Sequence, residues 1–270
     1  MADGFMRAFV INLERRVDRR RQFLAWNEQQ PLAFEFFPAA DGARIDRSKL
    51  IAAGLLDATD QEFNHGALGN ALSQLALWRA CAAGREPYLV FEDDACLRGD
   101  FWQHAKPMIE RYLAPHHLML FGFNTDSVTS LRGSDGFVSA IRFDESIKRH
   151  PRFFEEYRRL CDVRPNLFHC RQFWGTLAYA ISPRGARALI DACFPLSSRR
   201  KVELIGENRE LAPCGLDGMI NLALQEKRLD VVACYPALVL GPNSHTDSDI
   251  QRVGADYGAS ATPARKLEAG

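Results

Sequence analysis

Short apolar segments alternate along this chain with longer segments in which apolar residues recur at helical spacing. Short apolar segments bounded by turn residues are typical of buried strands, and a period of about 3.6 residues is typical of helices packed on a core. Strands that alternate with helices predict an α/β fold built on a central sheet. The predicted strands are residues 6–13, 34–38, 88–91, 117–123, 173–181 and part of 229–239. The predicted helices are residues 14–27, 48–53, 65–83, 101–113, 183–193 and 219–225.

Two of these helices carry polar residues that bear on function. The helix at 14–27 is rich in arginine and has a partial apolar face, formed by Val17, Phe23, Leu24 and Trp26. The helix at 65–83 has the strongest pattern, with Leu68, Leu72, Leu75 and Trp78 at helical spacing. Asn70, Ser73 and Gln74 lie on or near its other face. A serine in mid-helix is usually neutral, and the alternative is that Ser73 points into a cleft.

Three carboxylates follow directly on the strand at 88–91. Because side chains alternate along a strand, Glu92 and Asp94 are predicted to point to one side and Asp93 to the other. Adjacent negative charges at the end of a buried strand repel one another. A hard divalent ion such as Mg²⁺ or Mn²⁺, shared with substrate phosphates, would relieve that repulsion. The alternative is a solvated acidic turn, since short acidic clusters are common on protein surfaces.

Charged residues also follow the first two strands. Arg15, Arg16 and Arg19 come just after the first strand, at the edge where open α/β sheets bind ligands. A solvated helix face is the alternative interpretation of each arginine. Asp41 follows the second strand within an Asp-Gly turn, where a carboxylate could bind a ribose or a base, although the pair is first of all a turn signal.

Residues 124–166 form a long polar and charged region, and a region of this length inside a compact domain is usually functional or mobile. It contains a basic–aromatic segment: Arg149, Arg152, Phe153, Phe154, Tyr157, Arg158 and Arg159. Two interpretations of this segment stay open. It contacts an anionic acceptor or the membrane surface, or it is a partly ordered lid with solvated charges.

Composition limits the class of protein. The chain has 270 residues, of which 47% are hydrophobic and 25% charged, so it can bury a sizeable core. The 34 basic and 34 acidic residues balance, which gives no net attraction to nucleic acid or to an anionic membrane. The seven cysteines show no zinc-ligand spacing and favour a reducing compartment. With no signal-peptide layout and no apolar run long enough to span a bilayer, we expect a soluble, cytoplasmic protein. One domain is expected over residues 1–257, with a flexible tail at 258–270.

The order of the motifs adds a resemblance. VINLERRVDRR, AADG, GALGNALSQLALWRA, YLVFEDDA and GTLAYAISPRGARALI follow one another, and a helix beginning near Asp217 comes after them. This series resembles glycosyltransferase family 25, which holds lipopolysaccharide-type β-galactosyltransferases and procollagen galactosyltransferases. The resemblance covers about residues 7–250.

The resemblance implies a GT-A-type fold, an α/β nucleotide-sugar-binding sandwich with a mostly parallel central sheet. It implies a UDP-sugar donor, first of all UDP-galactose, and transfer with inversion at the anomeric carbon. The expected acceptor is a hydroxyl of a cell-surface glycan or a lipopolysaccharide-type glycolipid, with Mn²⁺ or Mg²⁺ as cofactor and no nucleic-acid partner. The expected location is the cytoplasm, with peripheral contact to the inner membrane as an option.

The resemblance also implies roles for single residues. Asp94 and His245 are the expected metal ligands, and Glu92 or Asp93 would assist through the ribose or the metal. Asp217 is the expected catalytic base. The expected nucleotide-sugar-binding residues are Asn12, Arg15, Arg19, Asp41, Ser73, Glu92 and Asp93.

The chain departs from the family at several positions. The family usually has Glu at Ala67, often Cys at Asn70, and often His at Gln74. It commonly has Asp at Glu14, and a second acid where Gly218 stands. These losses would change donor or acceptor choice, or mark a non-catalytic nucleotide-sugar-binding or partner protein, which is the alternative function. Metal-dependent nucleotidyl transfer is a third option, but the chain lacks a Gly-rich phosphate loop near its N-terminus.

Overall fold

The computed structural model describes residues 6–161 and 163–243, and its main feature is one nine-stranded sheet. The strands of the described chain are β1 (Arg7–Asn12), β2 (Phe34–Pro38), β3 (Tyr88–Glu92), β4 (Cys96–Leu97), β5 (Leu118–Gly122), β6 (Thr129–Arg132), β7 (Val138–Ile141), β8 (Asn166–Gln172), β9 (Ala178–Ile181), β10 (Val202–Leu204), β11 (Arg209–Leu211), β12 (Val231–Tyr235) and β13 (Val239–Leu240). The helices are α1 (Val17–Asn27), α2 (Arg47–Ala52), α3 (His65–Ala83), α4 (Phe101–Tyr112), α5 (Phe153–Arg158), α6 (Pro183–Cys193) and α7 (Leu216–Gln225), with single 3₁₀ turns at Gly42–Arg44 and Glu145–Arg149.

The sheet has the strand order β2-β1-β3-β9-β5-β12-β8-β6-β7, and two short ribbons pair β10 with β11 and β4 with β13. Strands β1 and β2, β1 and β3, and β5 and β12 are parallel pairs. The other neighbours in the sheet are antiparallel. The α/β expectation is therefore confirmed, but the mostly parallel sheet is wrong. The chain enters β9 at the edge where β3 and β5 end, so β9 must run against both of them.

The sheet separates two layers of apolar side chains. In β3, Leu89 and Phe91 face one layer, while Tyr88 and Val90 face the other, as the alternation of a strand requires. Helices α1 and α4 cover the first layer, and α3, α6 and α7 cover the second. The large buried side chains contributed by these helices are Phe23 and Phe101 on one side and Leu68, Trp78, Leu189 and Ile220 on the other. This packing buries β3 from both faces up to the first carboxylate.

Helix α1 differs from its prediction in start and in face. Residues 13–16 form a turn, closed by the Arg16 amide on the Leu13 carbonyl at 2.8 Å, so the helix begins at Val17. Val17 and Leu24 are 49% and 46% exposed, which makes their assignment to the apolar face wrong. Phe23 is the one apolar residue of this helix that is fully buried. The helix is therefore attached to the sheet by a narrow stripe.

The polar region at 124–166 is not a structureless connection. It contains β6, β7, the beginning of β8 and α5, and it extends the sheet beyond β12. Its residues showed no strand alternation strong enough to predict this hairpin. The strand predicted at 173–181 is also half wrong, because residues 173–177 form a loop and only Ala178–Ile181 are β9.

The basic–aromatic segment packs against the body of the protein. Phe154 stacks on Trp26 with ring centroids 4.9 Å apart. Tyr157 is 6% exposed and donates a hydrogen bond to the Ala237 carbonyl at 3.0 Å. Arg158 donates to the Ala25 carbonyl at 2.9 Å. These aromatic rings are therefore directed to the protein, while Arg152 and Arg159 are 62% and 68% exposed in their side chains.

Several predictions fall on residues that the structure does not describe. His245, the tail at 258–270 and both ends of the predicted domain 1–257 lie outside the described residues. Within the described residues, no helix combines the length and the apolarity that crossing a membrane requires.

Helix α3 approaches the loop after β2 so closely that glycine is required at the contact. A Cβ atom at Gly69 would lie 2.6 Å from the Ala40 carbonyl oxygen and 3.0 Å from the Gly42 nitrogen. Backbone atoms cannot move aside as a flexible side chain does. The loop that carries Asp41 is thus set in place by the surface of α3.

Gly69→Ala should therefore lower the free energy of unfolding by about 1–3 kcal/mol, as overpacking of a tight contact does. The opposite sign, a gain of up to about 1 kcal/mol, is what this change gives in an unhindered helix. Urea unfolding followed by circular dichroism measures the difference. Gly84→Ala is the matched control, because a Cβ there has its nearest neighbour at an ordinary 3.4 Å. A Gly69→Ala protein as stable as wild type would contradict the close approach.

Candidate active site

The polar groups of the candidate site converge at the edge of the sheet where β1 and β3 end. These strands are parallel neighbours with Ile11 opposite Glu92, so the residues that follow them emerge side by side. The loop at 173–177 reaches the same edge, since the Glu92 amide donates to the Leu177 carbonyl at 2.9 Å. The loop in turn contacts the first turn of α7. One edge therefore gathers residues from four distant parts of the sequence.

Asp93 is neutralised by the end of β1 and by α1. Its two oxygens accept hydrogen bonds from Asn12 Nδ2 at 2.7 Å and from Arg19 Nη1 at 3.0 Å. Asp93 is 8% exposed and Asn12 6%. Asp93 thus lies on the α1 side of the sheet, as the alternation predicts, and ties α1 to the end of β3.

Glu92 points to the opposite side, toward α3. Its Oε1 accepts a hydrogen bond from Thr176 Oγ1 at 2.9 Å and a long one from Asn70 Nδ2 at 3.5 Å. Burial, with a further contribution from the negative charge of Asp94, raises the pKa of Glu92 to about 7. Glu92 is therefore a carboxylate whose ionised form is under-stabilised by its surroundings.

A directed chain of hydrogen bonds supports Glu92 from inside α3. Trp78 Nε1 donates to Tyr179 Oη at 2.8 Å, Tyr179 Oη donates to Gln74 Oε1, and Gln74 Nε2 donates to Thr176 Oγ1 at 3.2 Å. Thr176 then donates to Glu92. Every donor in the chain points toward the carboxylate. Gln74, completely buried, thus orients the hydroxyl that holds Glu92.

Asp94 is the carboxylate with an unsatisfied oxygen. Its Oδ1 is buried and has no hydrogen-bond partner among the described protein atoms. Burial raises the pKa of Asp94 to about 6, and the positive charge of Arg19 opposes that rise. A buried anionic oxygen without a donor is a natural ligand for a hard cation.

The carboxylates fit Mg²⁺ or Mn²⁺ in the way these ions are usually bound, through one or two carboxylates together with substrate phosphates. Asp94 offers the unsatisfied oxygen, and Glu92 is its electrostatic neighbour. Asp93 is already bonded through both of its oxygens. The three carboxylates therefore do not form a closed protein cage, and ligation would depend on the substrate.

Asp217 lies at the N-terminus of α7, across the loop from Glu92. Its carboxylate accepts hydrogen bonds from the Gly175 amide at 2.9 Å and from the Gly218 amide at 2.8 Å. Burial raises the pKa of Asp217 in spite of these two bonds. Gly175 has a φ of +75°, a conformation that favours glycine and that directs its amide toward Asp217. Since Thr176 follows Gly175, one short loop positions both Glu92 and Asp217.

The remaining predicted binding residues take two kinds of position. Arg15 forms an ion pair with Asp41 at 2.8 Å, and both are partly exposed at the mouth of the site. Asp41 also accepts a hydrogen bond from the Ala43 amide at 3.1 Å. Ser73 does not point into the cleft: it is 1% exposed, accepts from the Ala40 amide at 2.9 Å and donates to the Gly69 carbonyl at 2.7 Å. Its hydroxyl fixes the Asp41 loop to α3.

Two residues near the site were not predicted from the sequence. Thr176 lies in the segment 173–181, which was predicted to be a single strand. Lys148 lies in the polar region without any local pattern, yet its side chain is 8% exposed and its Nζ donates to Thr125 Oγ1 at 2.6 Å and to the Gly241 carbonyl at 2.8 Å. Burial lowers the pKa of Lys148, while the charges of Glu145, Asp126 and Asp94 oppose that change. Lys148 thus adds a positive charge close enough to interact with Asp94.

A groove of about 540 Å³ adjoins the site between α1 and the edge strand β2. Asn12 belongs both to this groove and to the site, but none of the three adjacent carboxylates lines the groove. The Arg20 guanidinium lies over the Phe36 ring there, 4.3 Å from its centroid. The groove therefore extends the site along α1 without containing its acidic centre.

Comparisons with known proteins agree with the motif order. A family model described as glycosyltransferase family 25 (LPS biosynthesis protein) matches residues 5–200. A glycosyltransferase 25 family member of Drosophila melanogaster is 26% identical over 69% of this chain and 28% of its own length. Procollagen galactosyltransferase 1 of Danio rerio is 33% identical over 34% of this chain and 16% of its own length. The inactive glycosyltransferase 25 family member 3 of Homo sapiens is 28% identical over 51% of this chain and 25% of its own length. The chain thus spans less than a third of each of these relatives.

The raised pKa values of Glu92 and Asp94 predict how stability depends on pH without metal. A carboxyl group with a raised pKa holds its proton more tightly in the folded state, so its contribution is present at low pH and lost as pH rises from about 4 to about 7. Asp94→Asn should therefore raise the free energy of unfolding near neutral pH, on the order of 2 kcal/mol in the presence of a chelator. Urea unfolding at several pH values measures this.

Asp93→Asn is the matched control, with the opposite expected sign. It removes the charge that Asn12 and Arg19 bind, which should cost about 1–3 kcal/mol. If both variants were destabilised equally at neutral pH, the unequal environments of the two aspartates would be refuted.

Proposed function

The chain belongs to glycosyltransferase family 25, and we propose that it is a metal-dependent, inverting enzyme that moves galactose from UDP-galactose to an acceptor hydroxyl on a GT-A-type fold. The single observation that carries the proposal is the gathering of Glu92, Asp94 and Asp217 at one sheet edge, each with a raised pKa. Perturbed carboxylates of this kind cluster at functional sites. The mixed sheet, with the carboxylates at its carboxyl edge, is compatible with a nucleotide-sugar site.

The donor would bind along the ends of β1 and β2. Asn12 and Arg19 contribute donors beside Asp93, while the Arg15–Asp41 pair supplies a cation and a carboxylate at the mouth. Asp94, with Glu92 beside it, would hold Mn²⁺ or Mg²⁺, and His245 is proposed as a further ligand from the part of the chain outside the described residues. When bound, such an ion neutralises charge on a departing diphosphate. Arg19 and Lys148, whose positive charges oppose the rise in the pKa of Asp94, would act on the same charge.

Asp217 would act as the catalytic base. In an inverting transfer, the acceptor oxygen forms a bond to the anomeric carbon while the bond from that carbon to the diphosphate breaks. The hydroxyl proton passes to Asp217, and the nucleoside diphosphate leaves with the electron pair. The raised pKa of Asp217 suits this task, because it increases the proton affinity of the carboxylate. The amides of Gly175 and Gly218 fix the orientation of its oxygens.

The proposed acceptor is a hydroxyl of a cell-surface glycan or a glycolipid of the lipopolysaccharide type, reached from the cytoplasm. The family description names lipopolysaccharide biosynthesis, which supports this choice over the collagen acceptor named for one relative. Arg152 and Arg159 are exposed and ion-paired with Glu155, so an anionic acceptor or the inner-membrane surface would have to compete with that carboxylate for them. Tyr157 is buried and Phe154 stacks on Trp26, so the aromatic rings of this segment are not available to insert into a membrane.

A non-catalytic nucleotide-sugar-binding protein is the second candidate, favoured by Ala67 and Gln74 and by the inactive human relative. Both residues lie inside the packing of α3: Ala67 is 3% exposed and Gln74 is completely buried. Gln74, which stands where the family often has His, still donates a hydrogen bond to Thr176, and Thr176 still donates to Glu92. This supports a retuned enzyme over a silenced one.

A panel of UDP- and GDP-sugars with Mn²⁺, read out as released nucleotide, tests the enzymatic proposal. We expect metal-dependent release from UDP-galactose by the wild type, and at least a hundredfold loss (about 10² or more) in Asp94→Ala because the unsatisfied oxygen is removed. Donor binding measured by calorimetry runs in parallel. Binding without release from any donor, in the presence of candidate glycolipid acceptors, would favour the non-catalytic function.

Asp217→Asn tests the role of the base. It should lower kcat by about 10²–10⁴ while leaving the KM for the donor nearly unchanged, because the amide keeps the size of the carboxylate but loses its basicity and one of its two hydrogen bonds from backbone amides. Asp46→Asn is the matched control, since Asp46 also stands at a helix N-terminus, where it caps α2, and Asn caps equally well. Equal activity of the two variants would rule out Asp217 as the base.

A further inference from the structure

Two histidines and an aspartate form a compact cluster far from the candidate active site. His116 Nδ1 lies 3.0 Å from Asp230 Oδ2, and His169 Nδ1 lies 3.2 Å from Asp230 Oδ1. The two imidazole rings meet edge to face with centroids 5.5 Å apart. One potential ligand atom from each residue lies within 4.8 Å of the others. Among the described residues, this is the one group of three or more His, Cys, Asp or Glu side chains whose ligand atoms lie this close together.

The cluster is located by the sheet itself. His116 stands just before β5, Asp230 just before β12, and His169 on β8 opposite Val232 of β12. Strands β5 and β12 are parallel, and β3 runs in the same direction because β9 is antiparallel to both β3 and β5. The cluster therefore lies at the edge opposite the carboxylates that follow β3.

A second layer of bonds holds the ligands in position. The His117 amide donates to the Asp230 carbonyl at 2.8 Å, and the Asp230 amide donates to His117 Nδ1 at 2.9 Å. This double contact fixes the backbone of Asp230 against the residue that follows His116. Outer contacts that fix ligand orientation in this way are a regular feature of protein metal sites.

The chemistry of the donor set selects the ion. Two imidazole nitrogens and one carboxylate oxygen suit borderline transition metals such as Zn²⁺, whereas Mg²⁺ prefers oxygen ligands. In a tetrahedral zinc site with bonds of about 2.0 Å, neighbouring ligand atoms are about 3.3 Å apart. Each imidazole nitrogen is already at about that distance from an oxygen of Asp230, His116 from Oδ2 and His169 from Oδ1, so a small shift of the carboxylate would place one oxygen beside both nitrogens. His169 is 44% exposed in its side chain, so a rotation of its ring can bring the two nitrogens closer.

We propose that His116, His169 and Asp230 form a binding site for Zn²⁺ or a similar transition-metal ion, distinct from the carboxylate site at the other edge. Three protein ligands leave a fourth position for water. The ion would cross-link β5, β12 and β8, and so join the parallel pair β5 and β12 to the antiparallel strand β8. Its effect would be on the stability of this part of the sheet.

Binding of Co²⁺ and Zn²⁺ to the full chain tests the site. We expect one tight ion per chain, with the visible absorption of four-coordinate Co²⁺ and no thiolate charge-transfer band, displaced by Zn²⁺. His169→Gln should weaken binding at least about tenfold, since loss of a direct ligand costs no less than loss of an outer contact. Zn²⁺ should raise the Tm of the wild type and not that of His169→Gln.

Two further variants separate this site from other histidines and from the carboxylates. His104→Gln is the matched control, because His104 Nε2 also contacts a carboxylate, Asp100, at 3.2 Å, but outside the cluster. Its affinity for Co²⁺ should equal that of the wild type, as should that of Asp94→Asn. Equal binding by His169→Gln and wild type, or loss of the tight ion in Asp94→Asn, would overturn the proposal. His116→Gln gives a second measurement should His169→Gln fail to fold.

Discussion

The repulsion among three adjacent carboxylates at the end of a buried strand is the constraint on which the site depends. Packing on both faces of β3 forces Glu92, Asp93 and Asp94 to emerge where water is scarce. Desolvated anions at short separation raise one another's pKa values unless each is given a partner. The surrounding elements provide hydrogen-bond donors to Glu92 and Asp93 but leave one oxygen of Asp94 without a donor.

Asp93 accepts hydrogen bonds from the side-chain amide of Asn12 in β1 and from the guanidinium of Arg19 in α1. These two contacts attach α1 to the sheet. That attachment matters because Phe23 alone anchors α1 through fully buried apolar packing. Glu92 receives a hydroxyl that is oriented from within α3. Asp94 keeps an unsatisfied buried oxygen, and the resulting imbalance is what makes this edge suited to a cation and a phosphate.

The loop at 173–177 is the element that connects the charged end of β3 to Asp217. Leu177 accepts from the Glu92 amide, Thr176 donates to the Glu92 side chain, and Gly175 donates to Asp217. The loop also explains the mixed sheet, since it delivers the chain to the carboxyl edge and β9 must then run back between two parallel strands. The same loop thus determines the direction of β9 and the positions of the Glu92 and Asp217 carboxylates.

The sequence by itself determined the α/β class, the positions of β1, β2, β3, α3 and α6 to within a few residues, and the acidic strand end. These features depend on local periodicity and on turn residues, which are signals within short stretches of consecutive residues. The motif order likewise identified the family. It also brought Asn12, Arg19, Asp41 and Asp217 forward as site residues, and the structure brings all four to the edge that carries the acidic strand end.

Tertiary structure decided whatever depends on residues far apart in the chain. The partners of Asp93 lie 74 and 81 positions away, and Gln74 reaches Thr176 over 102 positions, so no local pattern could assign them. The direction of β9, the hairpin of β6 and β7 and the inward position of Ser73 follow from which surfaces meet. The three members of the histidine–aspartate cluster stand in unrelated segments, and only the pairing of β5, β12 and β8 brings them together.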